Sequence, residues 1–229
     1  MRFASLVLDG SALHLRNIAR LESVDEILDW IQTEAGEGSA VAAVDAPLVI
    51  RNQTSIRPAE RELNSDFRRF DAGCHAANLG RPFAQNVISF SRLLEAAGFG
   101  HGASMTPRQE GRFQIEVHPH AATVTLFGLD RIVKYKRGPR EQRAKELHRL
   151  RRLAMSHLPA LDPSLTARLP PVPRTGSLKP TEDKIDAVLC GYIAAHWWVW
   201  GRQRNRLYGD QDNGYIVVPQ RAAKNVALA

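Results

Sequence analysis

The sequence predicts one α/β domain spanning residues 1–229, a mixed β-sheet flanked by helices. Three observations carry that reading. The chain opens on a hairpin, in which Phe3–Leu8 and the alternating Leu13-His14-Leu15-Arg16 flank the tight-turn pair Asp9-Gly10. Val41-Ala42-Ala43-Val44 is continuously apolar, as an inner strand covered on both faces must be. Stretches of helical periodicity then separate this strand from a second one at Phe113–His118.

The elements follow in order. Ser23-Val24-Asp25-Glu26 is a capping box, and Val24, Ile27, Leu28 and Ile31 behind it share one helical face. Gly36-Glu37-Gly38 ends that helix. The apolar strand at Val41 stops at Asp45-Ala46-Pro47, because proline cannot continue an inner ladder. A helical insertion, about 51–110, comes next. Pro58 suits the first turn of a helix over Ala59 to Phe70, and a second helix runs from Phe83 to Ala97. The strand at Phe113 ends before Pro119, a short helix covers His120 to Phe127, and a charged helix covers Pro139 to Leu158. Six prolines make the stretch from about 158 to 180 an irregular connection. Thr181 is the expected N-cap of a long, largely apolar C-terminal helix. Tyr215–Pro219 reads as a last edge strand.

Composition narrows the function. With 44% hydrophobic and 24% charged residues the chain is an ordinary globular one, and no apolar run reaches the length of a membrane helix. The N-terminus turns polar too early for a signal peptide. Only Cys74 and Cys190 occur, without metal spacing, so a reducing cytoplasm is the expected home. The net charge of +7 favours polyanionic partners, nucleic acid above all, and the densest basic stretch runs from Lys134 to Arg152. A solvated basic helix is the plainer account of that stretch.

Four carboxylates stand where chemistry gathers in α/β folds, beyond the C-terminal ends of strands. Asp45 follows the apolar strand, Glu116 lies in the second strand, and Asp183 and Asp186 share a face at the start of the long helix. If the two strands are parallel neighbours, Asp45 and Glu116 project towards one edge, and the helix can deliver the other two. Converging carboxylates repel unless divalent cations sit between them, and such cations hydrolyse phosphodiesters. Each has a plainer reading. Asp45 can form an Asx turn, Glu116 can pair with a nearby arginine, and Asp183 can serve the helix dipole. Asp186, amid Ile185, Ala187, Val188 and Leu189, is hardest to explain away. His118 and His120 lack further ligands at zinc spacing and suit supporting roles. Cys74-His75 is a poor nucleophile pair, since adjacent loop residues rarely face each other. Trp197, Trp198 and Trp200 suit packing, and no phosphate-binding glycine loop is present.

Taken in order, Val44-Asp45-Ala46-Pro47-Leu48, Arg57-Pro58-Ala59-Glu60, Glu116-Val117-His118-Pro119 and Asp183-Lys184-Ile185-Asp186-Ala187 resemble the motifs of the domain-of-unknown-function family 429, DUF429. That family is described as predicted RNase H-like nucleases. The resemblance implies an RNase H-like fold: a five-stranded mixed sheet whose first three strands are antiparallel. It implies Asp45, Asp183 and Asp186 as ligands of Mg²⁺ or Mn²⁺, and Glu116 as a fourth catalytic carboxylate. Arg57 and Glu60 fall in the family's characteristic insertion. RNase H-like enzymes carry a further aspartate in a Gly-x-Asp first strand. The chain's opening residues align with the second strand instead, so the expectation is a first strand missing or truncated. A start placed too far downstream, or a strand borrowed from another chain, are the alternatives.

The functional expectation is a divalent-metal-dependent nuclease or phosphodiesterase. Arg57, Lys136 and Arg137 would contact phosphate, and Glu60 and His118 would support the site. The alternative is an RNase H-like module that binds nucleic acid or protein and has lost the chemistry. No membrane partner is expected, and the oligomeric state is left open.

Overall fold

The computed structural model describes residues 1–220. β1 (Arg2–Asp9) and β2 (Ala12–Arg20) form the antiparallel hairpin, turning at Gly10-Ser11, one residue later than the sequence suggests. α1 (Val24–Ala35) starts at the expected capping box, in which the Ser23 hydroxyl accepts from the Glu26 N–H and the Glu26 carboxylate accepts from the Ser23 N–H. β3 (Ala40–Val44) follows, then α2 (Pro58–Phe67), α3 (Ala84–Ala96) and the two-residue β4 (Gly100–His101). β5 (Arg112–Glu116), α4 (Pro119–Leu126) and α5 (Arg140–His157) lead to a short β6 (Ser164–Leu165) inside the proline-rich connection. α6 (Lys179–Trp200) and a final hairpin, β7 (Asn205–Asp210) and β8 (Gly214–Pro219), complete the chain.

The class is α/β, as predicted, but the strands form three ladders instead of one five-stranded sheet. β1 and β2 are joined by β6, which runs parallel to β2. β3, β5 and β4 are all parallel, with β5 in the middle. β7 and β8 pair antiparallel, and a single bridge from Val117 to Val217 links them to the end of β5. α6 packs against both β1 and β3. Between those two strands there is no ladder among the described residues, so each keeps an unpaired edge. This leaves β3 half-buried along its whole length, although its sequence suits a fully covered strand.

Three other expectations shift. α6 begins two residues before Thr181, with Leu178 at the N-cap, so Thr181 lies inside the helix and is buried. α2 stops at Phe67, and a 3₁₀ turn over Arg68–Phe70 carries the chain to Asp71 in the left-handed region. Tyr215–Pro219 is no exposed edge: every residue of β8 is buried, because it is half of a hairpin packed on α2, α4 and α6.

The core has three main parts. One lies between the first hairpin, α5 and α6, around Leu147, Leu150, Ile185 and Tyr192. The second joins β5, α6 and β8 around Ile115, Trp197 and Val217. The third packs α2 on α4 and the last hairpin.

Candidate functional site

Parallel pairing sets Val44 directly opposite Glu116. The two strands are therefore neighbours, as the sequence reading required. Asp45 comes one residue after Val44, just past the paired strand, and both it and Glu116 reach the wall of one cleft, with different partners.

Glu116 is buried against Arg57. The Arg57 guanidinium donates to both Glu116 oxygens, at 2.6 and 3.0 Å. It also donates from Nε to Glu60 at 2.6 Å and from Nη1 to the Val49 carbonyl at 2.7 Å. Glu116 accepts a further bond from the Leu48 N–H at 3.1 Å. The cluster thus ties the loop after β3 to the start of α2. Arg57 is only 1% exposed, so it holds protein carboxylates and has no face left for a phosphate. Glu60 does support this cluster, and the plain reading of Glu116 as an arginine's partner describes its contacts. Burial pushes Glu116 up to about 7, against the pull of Arg57. Burial alone would discharge Arg57, but Glu116 and Glu60 hold the guanidinium firmly charged. The last hairpin closes the cluster. Gly214 has φ +99°, and a Cβ there would lie 2.5 Å from the Val49 carbonyl and 2.6 Å from Arg57 Nη1.

Asp45 has Lys136 and Asp186 as its charged neighbours. Asp186 is fixed at both oxygens: the Tyr135 hydroxyl donates to Oδ1 at 2.6 Å, and Lys136 Nζ lies 3.0 Å from Oδ2. Asp45 stays open to solvent on the cleft side. The protein crowded around it still pushes its carboxyl up to about 6, because burial and Asp186 outweigh Lys136. Burial disfavours the Lys136 charge, yet Asp186 and Asp45 together raise its pKa above the ordinary value. Asp183 does not join them. It sits one turn earlier on α6 and pairs with Lys179 on its own helix.

A cleft of about 610 Å³ opens here, lined by Asp45, His75, His118, His120, Lys136 and Arg137, with Arg57, Glu60 and Glu116 on its inner wall. Burial pushes His118 down to about 4 and His120 down to about 3, so both rings are neutral. His118 Nε2 donates to the Ala72 carbonyl at 3.2 Å, which leaves Nδ1 as its acceptor. The two histidine rings lie 5.8 Å apart, and His120 lies 5.6 Å from the Tyr135 ring. Lys134 and Arg131 stand near the rim, both paired with Asp71. Cys74 is pushed up to about 12, chiefly by burial, and stays a thiol. Burial raises Cys190, near Asp45 and Asp186, well above the ordinary thiol value. Tyr135 is the residue that sequence reasoning missed. Its signal was an isolated aromatic hydroxyl inside the basic run Lys134-Tyr135-Lys136-Arg137.

The family model of DUF429, a protein family of unknown function, matches residues 3–213. The chain belongs to the DUF429 family. No curated protein and no solved structure matches it. The ordered motifs read in the sequence fall within the matched span, and with them both the Arg57 cluster and the Asp45 cleft. No helix among the described residues is long and apolar enough to cross a membrane.

Proposed function

We propose that this DUF429 chain is a divalent-metal-dependent phosphodiesterase whose site is the Asp45–Asp186 cleft. One observation carries the reading: Asp45, on the wall of a cleft that also presents Lys136 and Arg137, lies within reach of the charge of Asp186, which stands behind Lys136. Such proximity is costly without a compensating cation.

The donor set decides which ion fits. Among the described residues no three His, Cys, Asp or Glu side chains form a metal-holding group, so a zinc cage does not fit. Mg²⁺ or Mn²⁺ needs only one or two carboxylates, with water and substrate phosphate completing the shell. Asp45 and Asp186 fit that need and would hold the ion. When bound, it would supply an activated water and a counter-charge for the phosphoryl oxygens. Tyr135 holds the Asp186 carboxylate in one orientation. Lys136 balances the carboxylate pair, and its ammonium is close enough to turn to a phosphate once a divalent ion takes that role. Arg137, exposed at the cleft, binds phosphate from outside. His118 and His120 add no positive charge at neutral pH and offer acceptors.

Calorimetric titration with Mn²⁺ tests this, together with hydrolysis of bis(p-nitrophenyl) phosphate. The native chain should bind Mn²⁺ and cleave, and Asp45→Asn and Asp186→Asn should lose both. No binding heat in the native chain, or none lost in either variant, would sink the proposal. A second reading draws on the Tyr135 and Lys136 contacts, which already satisfy Asp186. On that reading Lys136 is the permanent cation of a module that binds nucleic acid or protein without cleaving. Oligonucleotide binding with no cleavage by any divalent ion would favour it.

A further inference from the structure

α5 carries six Lys or Arg residues and two Glu among its 18 residues. Half of the cations are committed to structure. Arg140 donates to the Gly176 and Pro173 carbonyls, Arg143 pairs with Glu182, and Arg151 donates to the Leu169 and Pro170 carbonyls. These contacts hold the helix against α6 and the proline-rich connection.

The remaining three, Lys145, Arg149 and Arg152, are exposed. Their spacing of four and three residues puts them on one helical face. It lies opposite the face that buries Leu147, Leu150 and Ala154. Lys145 and Arg152 make no ion pair among the described residues, and Arg149 has only a loose one, 3.5 Å to Glu146. Glu141, four residues before Lys145, shares their face but forms no ion pair among the described residues. A merely solvated helix face usually mixes signs so that i,i+4 pairs form. This one leaves three cations largely unbalanced.

The placement gives the face a direction. Only Gly138 and Pro139 separate α5 from Lys136 and Arg137 at the cleft. Along the chain, positive charge therefore runs on from the cleft residues into the helix. From Lys145 to Arg152 the helix rises about 10 Å, which covers about three phosphates at the spacing of one nucleic-acid strand.

We propose that Lys145, Arg149 and Arg152 form a phosphate track that leads a polynucleotide to the cleft. This rests on the phosphodiesterase reading and deepens it by naming the substrate as a nucleic-acid chain. Backbone contacts of this kind are blind to base sequence and strongly salt-dependent.

The test uses the full chain in EDTA and a fluorescein-labelled single-stranded oligonucleotide, with anisotropy read across a salt series. The Lys145→Gln, Arg149→Gln, Arg152→Gln triple variant should bind more weakly. Its slope of log K against log salt should be shallower by roughly 2, at about 0.7 for each phosphate that is no longer neutralised. Arg16→Gln with Arg20→Gln, on β2, should leave that slope unchanged. An unchanged slope in the triple variant overturns the track. So does an equal effect of the β2 control, which would mean that net charge alone is read. Tighter binding to phosphatidylglycerol vesicles than to the oligonucleotide, abolished in the triple variant, would assign the face to a membrane surface instead. Hydrolysis of bis(p-nitrophenyl) phosphate by the triple variant should match the native chain. If the native chain cleaves nothing and the slope still falls, the phosphodiesterase reading fails and the track stands.

Discussion

Two clusters in this molecule have the same stoichiometry, one cation to two carboxylates, and opposite surroundings. Arg57 with Glu60 and Glu116 is buried beneath the last hairpin at the inner wall of the cleft, with each of the three side chains under 10% exposed. Lys136 with Asp45 and Asp186 opens on a cleft, with the lysine side chain 38% exposed. The difference lies in the cation as much as in the burial. A guanidinium binds carboxylates through a planar fork and cannot leave without stranding them. An ammonium on a flexible stem is a point charge that another cation can replace. The buried cluster fixes the loop that carries Asp45, and the open one is free to do chemistry.

Replacing each cation by methionine should separate the clusters most sharply. Arg57→Met strands two buried carboxylates and should cost about 3–5 kcal/mol, lowering Tm by on the order of 10 °C. Lys136→Met, at a partly exposed pair, should cost no more than about 1 kcal/mol. Melting curves by circular dichroism read both, and equal shifts would erase the distinction.

Titration sharpens the comparison next. Glu116 sits at about 7 in the fold against an ordinary 4.5, so the folded state binds the extra proton between those values. A raised acid loses stability as pH rises through that window. Urea midpoints measured from pH 4.5 to 7 should therefore fall more in the native chain than in Glu116→Gln. Parallel curves would show that Arg57 keeps Glu116 charged throughout. An effect of the same small order as that of Lys136→Met belongs to Tyr135→Phe. It deletes one hydrogen bond to Asp186 and should cost about 1 kcal/mol, seen as a small Tm drop with the fold intact.

The sequence made the α/β class legible through the hairpin signal, the apolar run at Val41 and the helical periods. The capping box at Ser23 was also plain, since both partners lie within one turn. At the site, the nearness of Asp45 and Asp186 was legible because each stands at the end of a well-marked element. The different partners of Asp45 and Glu116, which line one cleft, were not, because they depend on contacts made only in the folded chain. The burial of Arg57 was hidden for a related reason. Its partner Glu116 is 59 positions away, and an arginine inside a core is tolerable only once that partner is in place. β7 was missed because Asn205–Asp210 is polar in composition and is strand by virtue of pairing with β8.

The unpaired edge of β3 bears on solubility. An exposed strand edge is a template on which other chains can stack, and Ala-Val-Ala-Ala-Val has neither a charge nor a proline to discourage it. The nearest charge on that stretch is Asp45, directly after it. This carboxylate on the wall of the cleft thus doubles as the strand's gatekeeper, and neutralising it for a catalytic experiment also removes a guard against clumping. Preparations of Asp45→Asn are best compared with the native chain at matched, low concentration.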